Sequence, residues 1–127
     1  MRQHLIMTLC ILLLSIAVPL RAADDAPDSS PAIKPAQRVV SLAPHLTEVA
    51  FAAGAGEQLI GAVSYSDYPE AAKAIPRVGS YDNVSYETLV ALNPDLVLAW
   101  RSGNGLEVIQ RLQSLGLPVY VDEASTL

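Results

Sequence analysis

Cysteine is almost missing. Cys10 is the only one in 127 residues, and it falls inside an N-terminal apolar run. The rest of the chain therefore holds no disulfide framework, no thiolate nucleophile and no cysteine-based metal site. Basic residues are scarce: eight Lys and Arg face thirteen Asp and Glu, a formal net charge of -5. That balance argues against a nucleic-acid partner, because phosphate contacts need a basic surface. Histidine occurs twice, and only His45 lies beyond the apolar run. No Gly-x-Ser-x-Gly elbow occurs, and Gly79-Ser80-Tyr81 does not replace one. No base-and-nucleophile constellation forms around His45 without a pairing the sequence does not display. Gly54-Ala55-Gly56 is a fragment of a dinucleotide fingerprint, but it follows a helical stretch and precedes a strand. The fingerprint needs the reverse order to bring a helix N-terminus to the pyrophosphate, so these glycines read as a helix C-cap.

What is abundant is apolar surface, 51% of residues, a figure raised by the first twenty or so. Residues 1–22 read as a secretory leader. Arg2 gives a short positive start, and Leu5 to Leu20 is too short and too poorly flanked for a stable membrane span. Cleavage is expected after Ala22, with Leu20 at the −3 position, and export places the protein in the periplasm if the source has an outer membrane. A retained anchor is the alternative. Loss of Arg2 and Arg21 with the leader makes the exported part more acidic still. Residues 23–37, rich in Pro, Asp and Ser, lack the apolar content to pack and read as a disordered linker.

From Arg38 onward, strands and helices alternate, which predicts an α/β fold with a parallel sheet flanked by helices. Arg38 to Ala43 is the first strand, Pro44-His45 a turn, and Leu46 to Ala53 a short helix. Leu59 to Val63 is the second strand, and Ser64 to Pro69 a loop rich in aromatics and hydroxyls. Glu70 to Ala74 forms one helical turn, and Ile75 to Val78 is at most an edge strand, since Pro76 cannot donate to a ladder. Ser85 caps a helix with Glu87 in its first turn, where a carboxylate suits the positive helix end. Leu89, Val90 and Leu92 supply its apolar stripe, and Asn93-Pro94 stops it. Asp95 to Trp100 is a strand buried on both faces. Arg101-Ser102-Gly103 is a loop, and Asn104 with Glu107 forms a capping box. Leu106, Ile109, Leu112 and Leu115 give the next helix its apolar side, Gly116 ends it, and Val119 to Val121 is the last strand. Ser125 reads as the cap of a further helix, so residues 38–127 read as an incomplete lobe.

Ligands of open α/β sheets bind outside the carboxyl ends of the strands. There the pattern gathers Pro44, His45 and Leu46, Tyr65 and Tyr68, Tyr81, and Trp100. Tyrosine and tryptophan offer large, stiff apolar faces with a polar handle, which suits a bulky, partly apolar ligand. Core or rim packing is the alternative for each residue taken alone.

Several stretches resemble the periplasmic iron-siderophore and cobalamin-binding proteins. Arg38-Val39-Val40-Ser41-Leu42-Ala43-Pro44, Thr47-Glu48 and Phe51-Ala52-Ala53-Gly54 are similar to the family's start. Ser64-Tyr65-Ser66-Asp67-Tyr68-Pro69 and Val90 to Arg101 resemble its cobalamin-binding branch in particular. The resemblance implies the substrate-binding protein of an ATP-binding-cassette importer. It implies a monomer of two α/β lobes joined by a long helix, with the ligand between the lobes. This chain corresponds to the N-terminal lobe and stops before the connecting helix. Cobalamin, as transported ligand rather than cofactor, would meet Tyr65, Tyr81 and Trp100, with Pro44, His45 and Leu46 nearby. Glu87 matches the family's docking glutamate, which pairs with an arginine of the membrane permease. Two positions depart from the pattern: Tyr81 stands in place of a tryptophan, and His45 in place of a small residue. His45 could therefore contact the ligand or even its metal, although rim packing also explains it. Haem or ferric-siderophore carriage is the alternative within the fold, and a stand-alone protein-interaction module is the alternative outside it.

Overall fold

In a computed structural model, residues 33–123 are described. The leader expected at residues 1–22, most of the linker expected at 23–37 and the cap expected at Ser125 lie outside them. Residues 33–37 carry no helix or strand.

Four short strands form one parallel sheet: β1 (Val39–Ser41), β2 (Leu59–Ala62), β3 (Leu96–Trp100) and β4 (Val119–Asp122). Their order in space is β2-β1-β3-β4. Val40 pairs with Val97 on one side and Gly61 on the other, and Trp100 pairs with Asp122 at the far end of β3. Arg77 makes a single parallel bridge to Ala62, so the segment around Pro76 adds no full strand outside β2.

Among the described residues four α-helices connect and cover the sheet: α1 (Pro44–Ala52), α2 (Tyr86–Leu92), α3 (Arg101–Asn104) and α4 (Leu106–Ser114). Alternation along the strands sorts side chains to two cores. Val40, Leu42, Val97 and Ala99 face α2 and α4, where Leu89, Ile109 and Leu112 meet them. Val39, Leu59, Leu96 and Leu98 face the other way, against Ala50 and Phe51 of α1. Helices thus lie on both faces, as a parallel sheet requires.

The sequence reading needs correction at three places. Pro44 and His45 open α1 rather than forming a turn, because proline's missing N–H is one the first helical turn leaves unbonded anyway. Arg101 to Asn104 is a helical turn rather than a loop, and the N-cap of α4 is Gly105 instead of Asn104. The leucine stripe of α4 is buried only in its middle: Leu112 is fully covered, while Leu106 is 52% exposed. Residues spaced by three drift around a helix of 3.6 residues per turn, so the ends of such a row leave the core face. Ser85, by contrast, caps α2 as expected, its Oγ accepting from the Thr88 N–H at 3.3 Å.

The amino-terminal edge of the sheet is tied by two side chains. Asp95 accepts from the backbone N–H groups of Gln37 and Arg38, both at 2.9 Å. Arg38 reaches back to donate to the carbonyls of Leu92 and Asn93 at the end of α2, where a cation meets the negative helix end.

Candidate functional site

The order β2-β1-β3-β4 contains a reversal. From β1 the chain steps to β2 on one side, then crosses to β3 on the other. The loops leaving β1 and β3 consequently part in opposite directions and open a crevice between them, the usual ligand position in sheets of this kind. His45, in the first turn of α1, and Trp100, the last residue of β3, stand at that crevice. Their rings meet edge to face, with centroids 5.1 Å apart and planes at 88°. The Tyr81 ring lies 6.4 Å from the indole at 48°. These separations are in the range of favourable aromatic pairs.

Each of the three is held from below. Gly103 lies directly under the indole, where any side chain would overlap the Trp100 six-membered ring. The Tyr81 turn is closed by the Ser80 N–H to Asn83 carbonyl and Asn83 N–H to Ser80 carbonyl bonds. It joins β2 through Ser64, whose N–H donates to the Gly79 carbonyl at 2.8 Å. Gly79 has φ of +113, and an added Cβ would strike the Asn83 carbonyl, so glycine is required. The His45 segment is anchored by three buried hydroxyls. Thr47 Oγ1 is 3.0 Å from Ser41 Oγ and 3.2 Å from Ser66 Oγ, joining the end of β1, α1 and the loop after β2. Arg77 fixes that loop from outside, donating to the Ser66 carbonyl at 3.0 Å and to Asp67 at 3.2 Å.

Two polar atoms in this group have no hydrogen-bond partner although protein covers them: His45 Nε2 and Trp100 Nε1. The nearest charge to the histidine is Asp122 Oδ2 at 3.6 Å, at the end of β4. That distance suits an ion pair with a protonated ring but is too long for a good hydrogen bond. Arg101 pairs with Glu123 at 2.9 Å, and Ser102 Oγ donates to the same carboxylate at 3.2 Å, closing the β4 side. Among the described residues no group of three or more His, Cys, Asp or Glu gathers as a metal site.

The remaining sequence-predicted residues are dispersed around this centre. Pro44 is half-buried, and Leu46 is 7% exposed, offering little surface to a ligand. Tyr65, in the loop after β2, is 81% exposed and sits at φ of +69, an uncommon conformation for a bulky residue. Such strain is often kept where function needs a side chain in one place. Tyr68 is exposed in the same loop. Glu87 is exposed in the first turn of α2. Asn104, Asp122 and Gly103 were not expected at the site. Gly103 and Asn104 are only three and four residues beyond Trp100, yet their roles depend on contacts that no local pattern displays. A concavity of about 410 Å³ lies elsewhere, lined by Tyr86, Glu107, Gln110, Arg111 and Ser114. The Arg111 guanidinium covers the Tyr86 ring there, 5.5 Å from its centroid. None of the strand-end aromatics lines that concavity, so it is not the candidate site.

Residues 39–125 match a family model described as periplasmic binding protein. A vitamin B12-binding protein of Vibrio campbellii is 46% identical over 100 residues, 79% of this chain and 36% of that protein. A solved periplasmic vitamin B12 binding protein of Vibrio cholerae superposes with a TM-score of 0.66 at 41% identity, covering 72% of this chain and 35% of that one. A periplasmic heme binding protein of Pseudomonas aeruginosa gives 0.65 at 30% identity, covering 71% and 32%. The chain thus spans about a third of the length of these relatives.

Proposed function

Because this chain belongs to the periplasmic binding protein family, we propose that it is the N-terminal lobe of the substrate-binding component of an ATP-binding-cassette importer that captures cobalamin. In this account residues 1–22 are an export leader cleaved near Ala22, residues 23–37 a linker, and residues 38–127 the lobe, which works in the periplasm. The observation that carries the proposal is the group of His45, Tyr81 and Trp100 standing in the crevice between β1 and β3. A corrin ring is broad, partly apolar and fringed with amides. Aromatic faces would pack against its plane. Relatives named for vitamin B12 binding support this ligand over others of similar size.

Tyr65 and Pro44 would extend the wall on either side, Leu46 would add only its edge, and a second lobe would close over the ligand. Cobalamin is cargo in this account, and no residue performs chemistry on it. Glu87 would dock the lobe on the permease. A heme binding relative with nearly the same superposition supports a second reading, haem carriage, in which His45 would ligand the iron. The deciding experiment titrates the full-length protein separately with cyanocobalamin, haemin and a ferric siderophore. Saturable binding of cyanocobalamin alone supports the proposal. A haemin Soret shift that disappears in His45→Ala supports haem carriage. Failure of all three overturns a carrier of these ligands.

A further inference from the structure

The three backbone segments that carry His45, Tyr81 and Trp100 meet on one side chain. Asn104 ends α3 and is 6% exposed. Its Oδ1 accepts from the Trp100 N–H at 2.6 Å. Its Nδ2 donates to the Leu42 carbonyl at 2.9 Å and to the Tyr81 carbonyl at 2.7 Å. Only one orientation of the amide satisfies all three, since two partners are acceptors and one is a donor. Leu42 leads from β1 into α1 and His45, and the other two bonds are to the backbone of the aromatic residues themselves. The bonds within the Tyr81 turn close that turn on itself, and Ser64 joins it to β2. The bonds from Asn104 tie it to the ends of β1 and β3. No other side-chain type of this size offers two donors and an acceptor in one plane.

We propose that Asn104 is a positioning residue for ligand binding: without touching the ligand, it sets the Tyr81 segment relative to Trp100 and to the His45 turn. This role rests on the cobalamin-carrier function proposed above. A buried amide kept only for stability would show the same bonds, so the test must separate the two.

Asn104→Asp is made in the full-length protein. The carboxylate still accepts from the Trp100 N–H but offers no donor to Leu42 or Tyr81, and two carbonyls then face an anion. With folding verified by circular dichroism at the titration temperature, cyanocobalamin affinity should fall roughly tenfold. Most of that loss should vanish in a Tyr81→Ala background, because a double-mutant cycle isolates the coupling between the two. Unchanged affinity in the folded variant, or an equal loss in both backgrounds, overturns the proposal. If Asn104→Asp does not fold, Asn104→Ser carries the same cycle with the same two outcomes. If the unmodified protein takes up no cyanocobalamin, the carrier function fails on its own account. The emission of Trp100, this chain's only tryptophan, read as the difference from Trp100→Phe, then decides the positioning role. A red shift in the Asn104 variant supports it, and unchanged emission overturns it.

Discussion

Single residues in this lobe divide by the edge of the sheet they occupy. At the amino-terminal edge they hold the fold. The two backbone N–H bonds from Gln37 and Arg38 keep the Asp95 carboxyl below its ordinary value of 3.8. A depressed folded-state pKa means that the unfolded chain binds more protons, so stability rises with pH across the interval. The contribution is present above the ordinary carboxylate value and is lost as pH falls through the lower folded value. Urea midpoints measured against pH should show wild type above Asp95→Asn at neutral pH, with the gap closing below about pH 3.8. A gap constant with pH would mean that Asp95 acts by shape alone. At the carboxyl-terminal edge, the proposed function gives residues roles toward partners. Glu87 is exposed and adds only about 0.3–1 kcal/mol to α2 through the helix dipole. Glu87→Gln should therefore leave folding and cobalamin affinity nearly unchanged while slowing uptake. Glu87→Arg should slow it further, by bringing like charges together in the docked complex. Normal uptake by both variants would leave Glu87 as a helix-start residue only.

At the scale of elements, the sequence was most legible where the physics is local. The Ser85 cap, the Asn93-Pro94 stop and the run from Leu96 to Trp100 each depend on neighbours a few residues away, and each element is present. Asn104 misled because the same residue type that caps a helix can also satisfy two distant backbone carbonyls along with a nearby N–H. Its carbonyl partners lie 62 and 23 residues away, beyond the reach of a capping-box pattern. Ser41, Thr47 and Ser66 were unreadable for the same reason, since small hydroxyls look alike whether they face water or one another. In α4 the error was one of period. Leu112→Ala should destabilise the lobe by roughly 2–5 kcal/mol, as a fully buried leucine does. Leu106→Ala, at the drifting end of the row, should cost less than about 0.5 kcal/mol. Equal losses in chemical denaturation would mean that α4 is rotated from the packing described.

For the whole molecule, strand order matters more than any motif. Alternation of strands and helices predicted a parallel sheet, but it could not say that β1 lies between β2 and β3. That order puts the reversal of winding at the β1/β3 boundary, and it brings His45 and Trp100, 55 positions apart in the numbering, into ring contact. The sequence had gathered these residues with Tyr65, Tyr68 and Leu46 into one undifferentiated set. The fold separates a central trio from a flanking Tyr65 and a largely buried Leu46. In the proposed function, cobalamin rests on the wall of this crevice. Calorimetric titration of cyanocobalamin into the full-length protein and its Trp100→Ala variant tests it most directly. We predict one saturable site in the unmodified protein and affinity at least about tenfold weaker in the variant, a difference of about 1.4 kcal/mol. Equal affinity in two folded proteins would contradict it, and would place the ligand away from the β1/β3 crevice.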